Sequence, residues 1–336
     1  RDLLWTGSDD GLVHVSRDGG KNWSNVTPPN LPKWTMINSL ETDPHSDGGC
    51  YLACTGYKQG DYRPFLYKTK DYGKTWELIT QGIDKEHFTR VIRADLKRAG
   101  LLYAGTEQGM YVSFDDGNHW QSLQLNLPIV PITDLTLKED ALIAATQGRA
   151  FWMIDDIAPL RAIQSTPDFF TKGDPAQKNA YLCPPSPAWR MRGTGGRSSK
   201  LAGENHPNGT IIYFHLKNKP ADQDTVTLTI LENDGDVIKT FSNKTPKDNT
   251  DPQMGLLSVK EGGQRFVWNH RYPDAEKFEG LVLWSYHLEG ARAVPATYKV
   301  KLKAAGIVQE HSFEILADPR SNATSESFQA QFDFVQ

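Results

Sequence analysis

The sequence has few of the features that mark membrane, nucleic-acid-binding or disulfide-rich proteins. There are only three cysteines, and Cys50 and Cys54 lie on one predicted strand, roughly 13 Å apart and too far for a disulfide. No apolar run approaches the ~20 residues needed to span a bilayer. Lys and Arg number 37 against 41 Asp and Glu, without the basic excess of a nucleic-acid surface. We predict no membrane span, no nucleic-acid partner, no metal site and no cofactor.

Glycine, proline and aromatic residues punctuate the whole chain instead. There are 28 glycines, 20 prolines and 9 tryptophans. Short runs of alternating apolar residues lie between these turn-forming residues, a pattern typical of many short strands. The sequence therefore predicts an all-β protein, and its 336 residues are enough for two domains.

One short motif occurs three times in the first half of the chain. Each copy follows an alternating apolar strand and has Ser or Thr, then Asp, Gly and Trp at fixed intervals. The copies begin at residues 16, 69 and 113, a spacing typical of β-propeller blades with several short strands each. The repeated residues are Ser16, Asp18, Gly20 and Trp23; Thr69, Asp71, Gly73 and Trp76; and Ser113, Asp115, Gly117 and Trp120.

The repetition favours a structural turn over a catalytic site. Hydroxyl and carboxylate oxygens accept hydrogen bonds from backbone N–H groups that a tight turn leaves open. Glycine adopts the positive φ of such a turn, and the tryptophan has a large apolar face to place between blades. The residues that do not repeat in the third copy, Asp116, Asn118 and His119, are predicted to be solvent-exposed.

These segments resemble Asp-box (BNR) repeats, which occur in bacterial sialidases, sortilin-type receptors and xyloglucanase-type double propellers. The stretches "RPFLYKTKDYGKTW", "LLYAGTEQGMYVSFDDGNHW" and "ATQGRAFWMIDDIAPLR" look like the end of the propeller in large bacterial proteins called sortilin-like or "glycosyl hydrolase, BNR repeat". The resemblance implies that the boxes lie on outer hairpins, away from the central channel, and that the protein is exported. Arg149-Ala150 departs from the Arg-Gly pair typical of that group.

Residues 1–164 are predicted to form a partial propeller of about three and a half to four blades. The first unit lacks an inner strand. In the last, Asp155 stands where the box Asp is expected, but no Gly-x-x-Trp follows. Because an incomplete ring would expose long strand edges, we expect the C-terminal part of a larger protein. The rest of the propeller would then be supplied in cis or by another chain.

The second half of the chain changes in character. Residues 165–209 are rich in Pro and Gly and are predicted to be an irregular connection. Residues 210–319 contain six or seven alternating strands, which favour an immunoglobulin- or fibronectin-like β-sandwich. Residues 320–336 are predicted to be a polar tail.

No set of catalytic residues emerges from the spacing. A glycosidase needs two carboxylates roughly 5–10 Å apart. Asp61, Glu107 and Asp134 are candidates by residue type, but nothing in the sequence brings any two of them together. We therefore predict no catalytic residue, and the alternative is a sialidase- or xyloglucanase-like glycoside hydrolase whose catalytic residues lie mainly upstream.

Non-repeating loops are better candidates for function. Tyr57, Tyr62 and Arg63 lie on one loop, and Arg149 follows the last glycine turn. Aromatic residues with an arginine can stack on sugar rings or bind a peptide carboxylate. The alternatives are packing on the next blade and, for Arg149, an ion pair between blades. The sequence thus predicts a non-catalytic module, secreted, periplasmic or on the cell surface, that scaffolds or binds a protein, peptide or glycan.

Overall fold

A computed structural model describes residues 2–165, 179–191, 206–244, 254–275, 280–282 and 288–336. The chain divides into two compact units, Arg1–Ser165 and Thr166–Gln336. Both consist mainly of β-strands, which confirms the all-β class. No helix among the described residues is both long and apolar enough to cross a membrane.

The first unit contains four small antiparallel sheets in sequence order, which we call blades 1 to 4. Blades 1 and 4 have three strands, and blades 2 and 3 have four. The unit ends in helix α1, Ala158–Ser165. The strands are β1 Leu4–Gly7, β2 Val13–Ser16 and β3 Ser24–Asn25 in blade 1; β4 Met36–Thr42, β5 Cys50–Gly56, β6 Asp61–Thr69 and β7 Glu77–Leu78 in blade 2; β8 Thr89–Ala94, β9 Leu102–Thr106, β10 Gly109–Ser113 and β11 Gln121–Ser122 in blade 3; and β12 Ile132–Lys138, β13 Ala141–Thr146 and β14 Phe151–Ile154 in blade 4.

The four blades stack face to face as a partial β-propeller. The first strands of blades 2, 3 and 4 lie beside one another, and an apolar cluster fills each gap between consecutive blades. Leu66, Ile92 and Trp120, for example, meet between blades 2 and 3. The predicted fold class is therefore confirmed. In the described residues, blade 1 has no inner strand and blade 4 has no outer strand.

The two ends of each blade carry different connections. One end has the box turns, at residues 16–23, 69–76 and 113–120. The opposite end, which we call the loop face, has the turns between second and third strands and the loops that lead into each inner strand. The loop face comprises residues 8–12, 26–35, 57–60, 79–88, 107–108, 123–131 and 147–150.

The second unit consists of two sheets around one apolar core, to which Phe214, Trp268 and Val300 contribute. The two sheets form a β-sandwich, and its immunoglobulin or fibronectin type stays a prediction. The strands are β15 Ala180–Leu182, β17 Thr210–Leu216 and β21 Gly262–Trp268 in one sheet, and β16 Ala188–Arg190, β18 Thr227–Glu232, β19 Val237–Ser242, β20 Met254–Leu256, β22 Ala296–Ala304 and β23 Ile307–Ala317 in the other.

The predicted connection at 165–209 is not irregular throughout. β15 pairs with β17, and β16 pairs in parallel with β23, so both strands belong to the sandwich. The sequence pattern missed them because each has only three residues and prolines lie between them. Residues 166–178 and 192–205 of this connection lie outside the described residues.

The predicted polar tail at 320–336 contains a helix, α2, at Ser325–Val335. Its N-cap is Thr324, whose side chain accepts a hydrogen bond from Ser327 N–H, as N-cap residues commonly do.

Candidate functional site

The three box turns share one hydrogen-bond arrangement. In the third turn, Ser113 Oγ donates to Asp115 Oδ1 and accepts from Gly117 N–H, both at 2.9 Å. Asp115 Oδ1 also accepts from His119 N–H at 2.8 Å. The corresponding distances in the other two turns are 2.8–3.0 Å. The repeated Ser/Thr, Asp and Gly therefore satisfy the backbone of the turn itself.

The second carboxylate oxygen of each box Asp is also occupied. It accepts a side-chain hydrogen bond from the residue four positions later, which is Asn22, Thr75 or His119, at 2.6–2.7 Å. Burial raises the pKa of Asp115, but the hydrogen bonds from His119 outweigh this and leave the pKa below its usual value. Asp115 thus stays ionised within the turn and is poorly suited to general acid catalysis.

The box carboxylates predict a pH dependence of stability. The Thr75 N–H and hydroxyl lower the pKa of Asp71 from 3.8 to about 2, so its stabilising contribution is complete above 3.8 and is lost as the pH falls towards 2. We expect wild-type protein to melt at a higher temperature than Asp71→Asn at pH 7, with the difference shrinking from pH 4 to pH 2. A difference that stays constant over this range in thermal melts would contradict the assignment.

The box tryptophan connects its blade to the preceding one. Trp76 Nε1 donates to the carbonyl of Val26 at 2.6 Å, and Trp120 Nε1 donates to the carbonyl of Ile79 at 2.7 Å. Trp23 lacks a preceding blade in the described residues, and its Nε1 donates to Gly20 in its own turn. Trp23 is consequently 45% exposed, whereas Trp120 is buried.

The box glycine meets the same part of the preceding blade. Gly117 has a φ of 85°, a conformation that favours glycine, and a Cβ there would lie 2.5 Å from Ile79 Cδ1. At Gly73 a Cβ would lie 2.7 Å from Val26 Cβ. Glycine is therefore required both by the turn and by the close contact between blades.

The prediction that Asp116 is solvent-exposed is wrong. Its side chain is largely buried against blade 2 and accepts hydrogen bonds from Tyr51 Oη at 2.7 Å and Lys68 Nζ at 3.3 Å, with Lys70 Nζ at 2.9 Å. Burial opposes ionisation, but Lys70 and Tyr51 hold the pKa of Asp116 below its usual value. Asn118 and His119 are exposed, as predicted.

Tyr57 lies on the loop face, whereas Tyr62 and Arg63 lie on β6 and not on the predicted loop. The rings of Tyr57 and Tyr62 meet around Phe88. Tyr57 stacks on Phe88 with ring centroids 5.2 Å apart and planes at 16°, and Tyr62 lies 6.1 Å from Phe88 at 50°. Phe88 is buried, while Tyr57 is 37% and Tyr62 is 54% exposed. We call these three residues the aromatic platform. Because Phe88 immediately precedes β8, the platform joins blades 2 and 3. Phe88 was not predicted from the sequence pattern. The one signal available was an aromatic residue at the start of a predicted strand.

Arg63, the residue after Tyr62 on β6, is held by Asp61. Its Nε and Nη2 donate to the two carboxylate oxygens at 2.9 and 2.6 Å, and its guanidinium lies 5.3 Å from the ring centroid of Phe65. The hydrogen bond from Arg63 lowers the pKa of Asp61. The exposed guanidinium is therefore pre-oriented, although a ligand carboxylate would compete with Asp61 for it.

The other two candidate acids are also paired with arginines. Glu107 lies 2.6 Å from Arg90, whose guanidinium is 5.2 Å from the ring centroid of Phe88. Asp134 lies 2.6 Å from Arg93 Nη2. These pairs connect neighbouring strands and blades.

Arg149 lies on the loop face at the β13–β14 turn, apart from the aromatic platform. It is exposed, and its guanidinium donates a 3.4 Å hydrogen bond to the carbonyl of Gly148. No ion pair of Arg149 occurs among the described residues, so the alternative of an ion pair between blades is not observed there. Ala150 has a φ of 58°, the left-handed conformation that suits the glycine typical of the resembling group.

Further apolar side chains are exposed on the loop face. They come from three separate loops of this face. These residues are Leu12, Trp34, Leu125 and Ile129.

Metal ligands and reactive thiols do not add a second candidate. In the described ranges, no group of three or more His, Cys, Asp or Glu side chains could hold a metal ion. Cys50, Cys54 and Cys183 are buried, and none of them forms a disulfide within the described residues. Burial raises the pKa of the Cys50 and Cys54 thiols, which makes them unreactive.

Taken together, the blades and the loop face define an all-β protein with a partial propeller. No family model and no curated protein matches the chain. Among solved structures, it is similar to YCF48 bound to D1 peptide (20% identity, TM-score 0.37, 46% of this chain and 48% of that one). It is also similar to YCF48 from Cyanidioschyzon merolae (18%, 0.35, 46% and 49%) and to the GH74 xyloglucanase from Xanthomonas campestris (13%, 0.37, 95% and 44%).

The chain spans less than half the length of each of these structures. At TM-scores below 0.5, the similarities carry no argument about ligand or activity.

Proposed function

We propose that the protein is a non-catalytic binding module whose loop face holds a protein, peptide or glycan. The observation that carries this proposal is the aromatic platform. Exposed tyrosines packed around a buried ring give a large, rigid, amphipathic contact surface with little loss of side-chain entropy on binding. Arg63, the residue after Tyr62, adds an exposed charge-assisted hydrogen-bond donor.

A polypeptide fits the surrounding surface better than a sugar. A glycan would stack on Tyr57 and Tyr62, but aliphatic side chains such as Leu125 and Ile129 offer a sugar ring no comparable stacking. Exposed apolar side chains on the same face as an aromatic platform are typical of protein-interaction sites. We therefore place protein and peptide ligands ahead of glycans.

The box turns have a structural role in this proposal. Their Asp and Ser/Thr side chains satisfy the turn, and their Trp and Gly residues contact the preceding blade. Together with the resemblance to exported Asp-box proteins, this supports a secreted, periplasmic or cell-surface protein. The rest of its propeller would be supplied in cis or by another chain.

A double variant tests the binding site. We expect Tyr57→Ala/Tyr62→Ala to weaken binding of ligands selected on the wild-type protein from a displayed peptide library or a glycan array by at least tenfold. Two partly exposed aromatic anchors each contribute more than 1 kcal/mol in a typical binding site. Affinity would be measured by isothermal titration calorimetry.

Leu96→Ser is the matched control, because Leu96 is exposed at the opposite end of the blades. Selected ligands that bind the double variant as tightly as the wild type would exclude the aromatic platform as the site. Ligands that are lost equally in Leu96→Ser would indicate a general loss of folding instead.

Glycoside hydrolysis is the alternative proposal. Asp61, Glu107 and Asp134 each form an ion pair with an arginine, so a substrate would have to compete with the guanidinium for each carboxylate. Release of reducing sugar from plant or host glycans, abolished by changing an acid on the loop face, would replace the binding proposal.

A further inference from the structure

The fourth blade ends in an unpaired edge strand. In blades 1, 2 and 3, a residue after the outer strand donates its N–H to the third strand of the same blade: Val26 to Val13 at 2.8 Å, Ile79 to Leu66 at 2.9 Å and Leu123 to Met110 at 2.9 Å. In blade 4, the chain passes from β14 into α1. Among the described residues, the sheet of blade 4 therefore has no strand in the position that β3, β7 and β11 occupy.

The register shows which backbone groups of β14 face outward. Thr146 N–H donates to the carbonyl of Ala150, and Trp152 lies opposite Ala144. Because pairing alternates along an antiparallel strand, Trp152 and Ile154 direct their N–H and C=O groups at β13. Phe151 and Met153 direct theirs to the open side. Within the described ranges, no hydrogen bond reaches the N–H or C=O of either residue.

A groove lies beside this edge. It lies between blades 3 and 4, and its walls include Met110, Leu123, Leu127, Trp152 and Ile154. All five also belong to the apolar cluster between the two blades or pack against it. The groove is thus continuous with the established interface between blades 3 and 4.

Apolar side chains also lie on the face of β14 opposite to Trp152 and Ile154, where they enlarge the exposed apolar surface. Phe151 is 78% and Met153 is 57% exposed. In blade 3 the corresponding residues are Met110 and Val112, because Thr106 and Thr146 make the same hydroxyl-to-carbonyl hydrogen bond before each third strand. Met110 and Val112 are buried under blade 4.

We propose that β14 accepts an extended segment of a partner polypeptide as an added, antiparallel fourth strand of blade 4. Alternating backbone donors and acceptors recognise a polypeptide strand and have no counterpart in a sugar or a lipid chain. Because side chains alternate across a strand, every second side chain of the segment points to the groove and should be apolar. This site is separate from the aromatic platform and does not depend on ligand binding there.

The chain itself provides a probe for this site. Residues 119–127, "HWQSLQLNL", include the outer strand of blade 3, and a labelled synthetic copy should pair with β14 in the same register. We expect saturable binding to the 336-residue protein in fluorescence anisotropy. N-methylation at the Leu123 position should weaken binding at least tenfold, because this N–H would donate to Phe151 O. N-methylation at the Ser122 position, whose N–H points away, is the matched control and should have little effect.

A protein variant provides a second test. Met153→Pro removes an outward-facing N–H without breaking the ladder to β13, a position where an edge strand tolerates proline. We expect it to bind the probe at least tenfold more weakly while its thermal melt stays close to that of the wild type. Because the two N-methylated peptides are compared on unaltered protein, the proposal can still be tested if Met153→Pro misfolds.

Three results of the binding measurements would overturn the proposal. They are absence of binding at millimolar peptide, equal weakening by both N-methylations, and unchanged binding by folded Met153→Pro. Self-association of the protein that Met153→Pro abolishes, seen by sedimentation velocity, would assign the edge to a second copy and also overturn it. A failure to find ligands of the aromatic platform, in contrast, would not change the expected binding of the peptide to β14.

Discussion

Replacing Trp120 with alanine is expected to lower the free energy of unfolding of the propeller unit by about 3–5 kcal/mol. The Trp120 ring is buried between blades 2 and 3, beside Leu66 and Ile92, and its Nε1 bonds to the carbonyl of Ile79 at 2.7 Å. The substitution removes a large apolar side chain, leaves a cavity and deprives a carbonyl of its partner. Urea unfolding followed by circular dichroism would measure the change.

Trp23→Ala is the matched control because it removes the same side chain from the same motif. Trp23 is 45% exposed and hydrogen-bonds within its own turn, so we expect a much smaller loss. Trp120→Phe should fall between the two, since it keeps part of the buried area and loses the hydrogen bond. Equal losses at Trp23 and Trp120 would show that contact with the preceding blade is not what the tryptophan contributes.

Replacing Arg161 with methionine is expected to lower the free energy of unfolding by about 3–5 kcal/mol, because it leaves the buried charge of Asp95 without its partner. Arg161 on α1 donates from Nε to both carboxylate oxygens of Asp95 at 3.0 Å, and it also pairs with Asp140 in the β12–β13 turn. Asp95 is fully buried at the end of β8. The guanidinium therefore ties α1 to blades 3 and 4.

Two further variants separate charge from packing. Lys97 pairs with Asp140 at 2.6 Å but is 56% exposed, so Lys97→Met should cost less than about 1 kcal/mol. Asp95→Asn in the Arg161→Met background should recover part of the loss, because it removes the unpaired charge. If Arg161→Met and Lys97→Met lower the free energy of unfolding equally, the burial of Asp95 does not determine how much these ion pairs stabilise the protein.

Much of the fold could be predicted because strand signals are local. The alternating stretches at 210–216 and 296–304 coincide residue for residue with β17 and β22. The strands that were missed, β15 and β16, have three residues each, too few for an alternation to stand out. What forms them is pairing with β17 and β23, which are distant in sequence.

The candidate site was predictable only in part. Tyr57, Tyr62 and Arg63 stood out as aromatic and charged residues on one non-repeating loop. Phe88, on which both tyrosines pack, comes from the next blade, and no spacing pattern links it to them. Asp116 was missed for the same reason, since its partners lie on the strands of blade 2. The roles proposed for the aromatic platform and for Arg149 stay predictions.

The sequence by itself determined the class of fold and the repeated turn, because alternation, glycine positions and the Ser/Thr-Asp-Gly-Trp spacing act over a few residues. Only the tertiary structure decided which of the repeated residues have the same burial and contacts. Trp120 and Trp23 occupy the same motif position, yet one is buried and the other exposed, because burial depends on whether a neighbouring blade is present. The open edge of β14 has the same origin, since an unpaired backbone is a property of the sheet and not of the strand's own residues.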